Sequence, residues 1–385
     1  MLETPLGPAY RIDSVYPHDY RHGPAPLSNL LGYSPALLAE IAQRSELTRT
    51  RPEDLLFLDT ETTGLAGGAG TLVFLIGIGR FEGEIFRLRQ YFLRDPAEEP
   101  GMLHALEADL QAAGALITFN GAAFDLPLLD MRSVIGLRHP WGLSQRPQLD
   151  LLAPSRRLWR NQLPNCRLGT IEAQVLGVRR SEADVPGELI PGMYLDYLRG
   201  GNTEGMKRVL YHNTVDILSL VGLTHEILLR HQSVDGQGLS PAEALGLAGW
   251  HEAAGRLQKA EAALRAAAEE GRAEVRLQAL RRYGQRLKRT ERLEQAAETW
   301  GEWHELAPDD PRPCIELSKY FEWKLKDYAR ARVWSEMALV ALTYWPDDWR
   351  RKEAWREVEH RLIRLDRKSE QMAERASGPD TAPSP

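Results

Sequence analysis

The chain has 385 residues, 43% of them hydrophobic and 26% charged, with a formal net charge of −6. That length gives room for two or three domains with full cores, and the charge excludes a protein that coats nucleic acid by bulk positive charge, though not an enzyme that binds it in a local groove. No stretch approaches the roughly 18 uncharged apolar residues of a membrane span, the N-terminus lacks a basic start and apolar core, and Cys166 and Cys314 form no zinc spacing, so a cytoplasmic protein without membrane contact is expected.

Residues 1–50 are rich in Pro, Tyr and Gly, and only "PALLAEIAQRSEL" looks helical, so they read as an arm or cap. Residues 51–95 read as strands: the apolar runs "DLLFLD" and "TLVFLIGIGRF", then the alternating "EIFRLRQYFL". The short link at Glu82-Gly83 predicts antiparallel neighbours. A helix from Glu98 to Ala113, a strand "ALITFN" and a helix from near Phe124 complete an α/β pattern with a mixed sheet. "QLDLLAPSRRLWRNQLPNCRLGTIEAQVLGV" looks mostly helical, "GVRRSEADVPGELIPGMY" carries structure breakers and reads as a loop, and residues 204–231 form one amphipathic helix pattern.

Gly236 and Gly238 mark a linker at 233–240. Three similar segments follow within 241–365: "GRLQKAEAALRAA", "ERLEQAAETWGEW" and "KDYARARVWSEMA". Aligning Ala260, Ala296 and Ala331 gives spacings of 36 and 35 residues, which resembles tetratricopeptide-type helical repeats. Such repeats suggest a protein partner. Residues 366–385, ending in "ASGPDTAPSP", are expected to be disordered.

Asp59 and Glu61 close the first strand. Residues i and i+2 share a strand face, so the two carboxylates point the same way and repel unless a cation or a proton intervenes. Alone, the pair reads equally as a solvated strand end. Asp125 follows the strand "ALITFN" at a helix start, where an N-cap is the plainer reading. Asp216 lies in the apolar helix pattern "VLYHNTVDILSLVGL", where an unpartnered aspartate is costly to bury. His212, four residues earlier, shares its helix face, whereas Tyr211 is rotated away. Together these residues give acids in the order D-x-E, D, D, and hard oxygen donors suit magnesium or manganese rather than zinc.

"FLDTETTGL", "NGAAFD" and "YHNTVD" resemble the three motifs of the DEDD superfamily of 3′–5′ exonucleases. More closely, residues from about 50 to 230 look like the YprB-type branch of the RNase H-like fold, through "GLAGGAGTLVFLIGIG", "FNGAAFDLPLL", "LDLLAPSRRLW" and "EADVPGELIPGMY". The resemblance implies a five-stranded mixed sheet flanked by helices over 51–232. It also implies that Asp59, Glu61, Asp125 and Asp216 hold two Mg2+ or Mn2+ ions for a two-metal hydrolysis at the 3′ end of single-stranded DNA or RNA. One subfamily places histidine five residues before the last aspartate and another places tyrosine four before it. Here Tyr211 is five before and His212 four before, and the helical geometry favours His212 as general base, with Tyr211 the alternative if the helix starts later.

For the substrate, the resemblance implies that Thr62 to Leu65 meet the terminal nucleotide, with Leu65 against its base. It also puts backbone near Thr60 at the 3′ hydroxyl, Asn120 in the second-motif turn and Asp150 in support. Arg156, Arg157, Trp159 and Arg160 set cations beside an aromatic, which suits phosphate contact and base stacking or, as readily, a solvated helix face over a core tryptophan. Arg282, Arg286 and Arg289 share a helix face that extends a nucleic-acid track, docks an acidic partner, or is simply solvated. An RNase H-like endonuclease and a binding scaffold with a vestigial nuclease fold are the competing readings. A nucleotide-binding loop is excluded, because no lysine follows "GLAGGAG" and "GIGRFE" lacks a third glycine.

Overall fold

The computed structural model describes residues 1–64, 68, 70–201, 203–234 and 236–376, with only the backbone at 374–376. It divides between Ser233 and Val234 into two compact units.

In the first unit, β1 (Leu2–Thr4) and β2 (Gly7–Pro17) form a hairpin, and α1 (Pro35–Ala42) follows with Ser34 as its N-cap. β3 (Leu55–Thr62), β4 (Val73–Glu82) and β5 (Ile85–Phe92) make the expected antiparallel run. β2 then lies antiparallel along β5, from Tyr10 opposite Phe92 to Pro17 opposite Ile85. On the other side β3 pairs in parallel with β6 (Ala115–Thr118), and β6 with β7 (Gln148–Asp150). The order is β1-β2-β5-β4-β3-β6-β7, a mixed sheet of seven strands where five were expected. The two extra strands come from the N-terminal segment, which is built into the sheet rather than set on it as an arm. Without it, β5 would present a row of unpaired backbone groups.

The flanking helices are α2 (Glu99–Gln111), α3 (Asp125–Leu137), α4 (Leu152–Trp159), α5 (Leu168–Ile171), α6 (Ile190–Gly200) and α7 (Thr203–His231). α5 runs into a π-helical turn, Glu172–Leu176. β7 occupies the start of a segment read as helical, and α6 begins inside the segment read as a loop.

α7 packs on β3 and β4. Two glycines in β4 let it approach: a methyl carbon on Gly77 would lie 2.8 Å from Asn213 Cγ, and one on Gly79 would lie 2.7 Å from Ile217 Cγ2. The N-terminal segment holds the opposite end of α7. His22 Nε2 lies 2.7 Å from Ser219 Oγ, and Tyr33 Oη lies 3.1 Å from His225 Nδ1.

The second unit is helical: α8 (Pro241–Ala253), α9 (Leu257–Glu269), α10 (Ala273–Arg289), α11 (Leu293–Leu306), α12 (Pro311–Tyr320), α13 (Tyr328–Leu342) and α14 (Trp349–Ala376). α9, α11 and α13 begin 36 and 35 residues apart. Each is entered through a left-handed residue, Gly255, Glu291 and Lys326, and each buries its aligned alanine completely. α14 continues through Ala376, so residues 366–376, expected in a disordered tail, are helical. A buried Glu322 receives Arg361, Arg364 and Lys368 and fastens α14 to the π-helical turn Phe321–Leu325. Among the described residues no helix is long and apolar enough to cross a membrane.

The close approach at β4 is testable. Gly77→Ala should destabilise the fold by about 1–3 kcal/mol through overpacking, or about 2–4 °C of melting temperature per kcal/mol for a domain of 150–250 residues. Gly32→Ala, where a methyl group meets nothing within 4 Å, should leave the melt within about 0.5 kcal/mol of wild type.

Candidate functional site

The pleat of β3 turns Asp59 and Glu61 to the face that α7 covers. Glu61, His212 and Asp216 each offer a ligand atom, all within 4.8 Å of one another. His212 Nε2 lies 3.4 Å from Asp216 Oδ2 and 3.9 Å from Glu61 Oε1. Tyr211 points elsewhere, its hydroxyl accepting the Ser181 amide at 3.2 Å. Of the two residues weighed for the base, His212 is the one aimed at the acids.

Asp59 accepts a hydrogen bond from Asn213 Nδ2 at 2.9 Å, and Asn213 Oδ1 accepts one from Gln90 Nε2 at 2.9 Å. Asp125 is the first residue of α3, and Phe124 rather than Asp125 is its N-cap. Its carboxylate instead accepts from the Thr60 hydroxyl. Asp150 shapes the loop before α3 by accepting the amides of Asn120 at 2.7 Å and Ala122 at 3.2 Å. Asn120 takes a left-handed conformation there, at φ 66°.

The acids feel one another. Burial, then the charges of Asp216, Glu61 and Asp125, pushes Asp59 well above the usual carboxylate range. Burial, then Asp216 and Asp125, does the same to Glu61. Burial lifts Asp125 from 3.8 to about 6 against the Thr60 hydrogen bond. Asp216 is raised by burial, with Arg180 and His212 opposing.

Arg180 and its partners escaped the sequence reading. Arg180 forks onto Glu172, with Nε and Nη2 each 2.7 Å from a carboxylate oxygen, and also donates to Asp216. Glu172 is almost completely buried. Asp184 Oδ1 lies 2.8 Å from His212 Nδ1 and 3.3 Å from Arg180 Nη1. Asp184 Oδ1 and Arg180 Nη1, the latter 3.0 Å away, both meet His212 at Nδ1, while Nε2 faces Glu61 and Asp216.

A cleft of about 690 Å³ opens beside Thr60 and Asp125. Among the described residues its walls include Thr62, Asn120, Phe124, Leu128 and Met131, joining polar groups to an apolar floor. Leu65 lies outside the described residues. Arg156 is exposed, and Arg157 reaches Gln43 Oε1 at 3.2 Å beside a separate cavity of about 170 Å³. Trp159 is fully buried under the Arg230 guanidinium, 5.5 Å from its ring centre, so it belongs to the core and cannot stack on a base.

The donor set fits a hard divalent cation. It comprises carboxylates and one imidazole, crowded and largely buried, and burial together with mutual repulsion raises the proton affinities of Asp59 and Glu61, a cost that a cation would relieve.

The sequence profile of the RNase H superfamily matches residues 56–228. The uncharacterized protein YprB of Bacillus subtilis is 31% identical over 338 residues, which span 84% of this chain and 78% of that protein. A solved structure, the family B DNA polymerase of the hyperthermophilic archaeon Pyrobaculum calidifontis, aligns with 53% of this chain and 29% of its own at 16% identity and a TM-score of 0.35. The chain thus spans less than a third of that polymerase.

The raised carboxylates give stability a sign with pH. A proton held more tightly in the folded state stabilises it fully below the ordinary value near 4, and that contribution is lost as pH rises through the folded value, about 6 for Asp125, with Asp59 and Glu61 raised in the same direction. In EDTA the melting temperature should therefore fall between pH 5 and pH 8. Mg2+ or Mn2+ should restore it at pH 8, and Asp59→Asn should both raise the EDTA value and shrink the metal response. A melt in EDTA that is flat or rises over this range would contradict the electrostatic reading.

Proposed function

We propose, from the premise that the chain belongs to the family of Bacillus subtilis YprB and carries an RNase H superfamily domain, that it is a metal-dependent 3′–5′ exonuclease acting on single-stranded nucleic acid. The observation that carries this reading is the convergence of Glu61, His212 and Asp216 on one point, with Asp59 buried close enough to Asp216, Glu61 and Asp125 for their charges to raise its proton affinity, beside a cleft with an apolar floor.

Asp59, Glu61, Asp125 and Asp216 would hold Mg2+ or Mn2+, one ion or two. When bound, the metal supplies Lewis-acid stabilisation of the charge that builds on the phosphate and acidifies water. His212 Nε2 takes the proton of the attacking water, and Asp184 beside Nδ1 stabilises the imidazolium that forms. Asn213, steadied by Gln90, orients Asp59. Thr60 and Asp150 hold Asp125 and its loop. The cleft takes the terminal nucleotide, with its base on Phe124, Leu128 and Met131 and its sugar towards Thr62 and Asn120. The helical unit, with three second helices at spacings of 36 and 35 residues, is read as tetratricopeptide-like, so it supplies a surface for binding.

The test is cleavage of 5′-labelled single-stranded DNA and RNA by purified protein in Mg2+, Mn2+ or EDTA. A metal-dependent ladder shortening from the 3′ end is expected, lost in Asp216→Asn. Internal cuts alone would replace the exonuclease with an endonuclease, and no cleavage by folded wild type on several substrates would remove both. His212→Ala should lower kcat by about 10²–10⁴-fold, the usual worth of a general base. Asp184→Asn should lower kcat with little change in KM, because it disturbs the imidazole and not the cleft. Equal kcat for Asp184→Asn and wild type would remove Asp184 from the mechanism.

A further inference from the structure

The basic face expected from Arg282 and Arg286 is largely neutralised within the helical unit: Arg282 pairs with Glu252 at 2.7 Å and Arg286 with Glu261 at 3.3 Å. A different set of cations lines a groove between α10 and α12. Two cavities, of about 380 and 200 Å³, share Lys288, Trp300 and Glu316 as walls and so adjoin. Arg281 and Arg312 stand in the first cavity, and Lys319 and Lys324 in the second. Glu316 is the one acid among the described walls of either.

The cations are held in place. Asp310, buried behind them, takes Arg312 in a fork and Arg281 at 2.9 Å. Both guanidiniums lie 5.3 Å from the centre of the Trp303 ring. Lys288 and Lys319 share Glu316. Five cations therefore meet two carboxylates. Walls with surplus positive charge match an anionic ligand.

Along α12 and the turn that follows, Arg312, Lys319 and Lys324 span about 18 Å at the helical rise, which suits an extended chain rather than a single small anion. Trp323, 54% exposed at the Lys324 end, adds an aromatic surface for a base. We propose that this groove binds the sugar-phosphate backbone of single-stranded nucleic acid. The choice of nucleic acid over an acidic polypeptide rests on the nuclease reading given above.

The experiment reads binding in EDTA, so it does not depend on cleavage. Full-length protein is titrated against a labelled 20-nucleotide single strand by fluorescence anisotropy over a range of salt. The variants are Lys288→Gln/Lys324→Gln and, in parallel, Lys319→Gln/Lys324→Gln, each checked by its melt. Loss of two phosphate contacts at about 0.7 per contact lowers the log–log salt slope by about 1.4, which weakens binding about 25-fold at 0.1 M salt. The control pair Lys259→Gln/Lys352→Gln, with the same change in net charge, should stay within about twofold. Equal weakening by the control, unchanged binding in both groove variants, or no binding by wild type would overturn the proposal. So would loss of poly-L-glutamate binding in the groove variants while oligonucleotide binding stands, which would make the occupant an acidic polypeptide. Groove-dependent binding without any cleavage would leave the groove standing and sink the exonuclease.

Discussion

Everything in the first unit answers to one electrostatic constraint: several carboxylates are held together where water is scarce. Two like charges 4 Å apart repel by about 4 kcal/mol at an effective dielectric of 20, and a chain free to relax would separate them. Here it is not free. β3 is held by β6 at Leu55–Phe57 and by β4 along its length, with Asp59 opposite Gly77 and Glu61 opposite Leu75, so neither carboxylate can withdraw. α7 is seated against β4 by Gly77 and Gly79 and tied by His22 and Tyr33 to the N-terminal segment, so Asp216 cannot withdraw either. The seven-stranded sheet is thus more than a scaffold. Its two added strands shield β5, and the segment behind them braces the helix that closes the site.

The constraint is met in part by the protein itself. Arg180 brings a positive charge to Asp216, but a lone guanidinium in that position would have to be dehydrated and held still. Buried Glu172, on the π-helical turn, takes two of its nitrogens and fixes the direction of the third. The same guanidinium stands beside Asp184, which in turn touches His212. One cation therefore partly compensates a ligand and helps arrange a base. Asp59 and Glu61 receive no direct ion pair from an arginine or lysine among the described contacts, and burial with neighbouring charge holds both well above the usual carboxylate range.

The parts legible in the sequence were those with a period or a punctuating residue. The three strands after residue 51, the long helix carrying Asp216, and the helical repeats each follow from spacing of apolar or small residues. His212 was separable from Tyr211 by helical angle, and the structure aims His212 at Glu61 and Asp216. β2 was missed because "GPAYRIDSVYP" is an outer strand with prolines near both ends and little apolar alternation. β7 is three residues long, too short to show a period. Trp159 stayed between base stacking and the core because neighbouring arginines say nothing about which way a ring points. Arg180, Glu172, Asp184 and Asn213 depend on contacts between distant segments. Asn213 and Asp184 sat inside stretches that carry the family resemblance, "YHNTVD" and "EADVPGELIPGMY", but nothing in those stretches shows what they contact.

A net charge of −6 conceals opposite arrangements in the two units. The first gathers carboxylates around β3 and α7, and the second gathers Arg281, Lys288, Arg312, Lys319 and Lys324 along one groove. For an enzyme of nucleic acid these arrangements solve different halves of one problem. Carboxylates suited to metal repel a polyanion until cations screen them, so attraction has to come from elsewhere on the molecule. On the reading proposed above, the cationic groove of the second unit supplies it, and binding energy gained there offsets the cost of bringing a phosphate to the acids. Bulk charge is therefore a poor guide for this chain: the carboxylate cluster and the cationic groove are local, of opposite sign, and neither can be read from the sum.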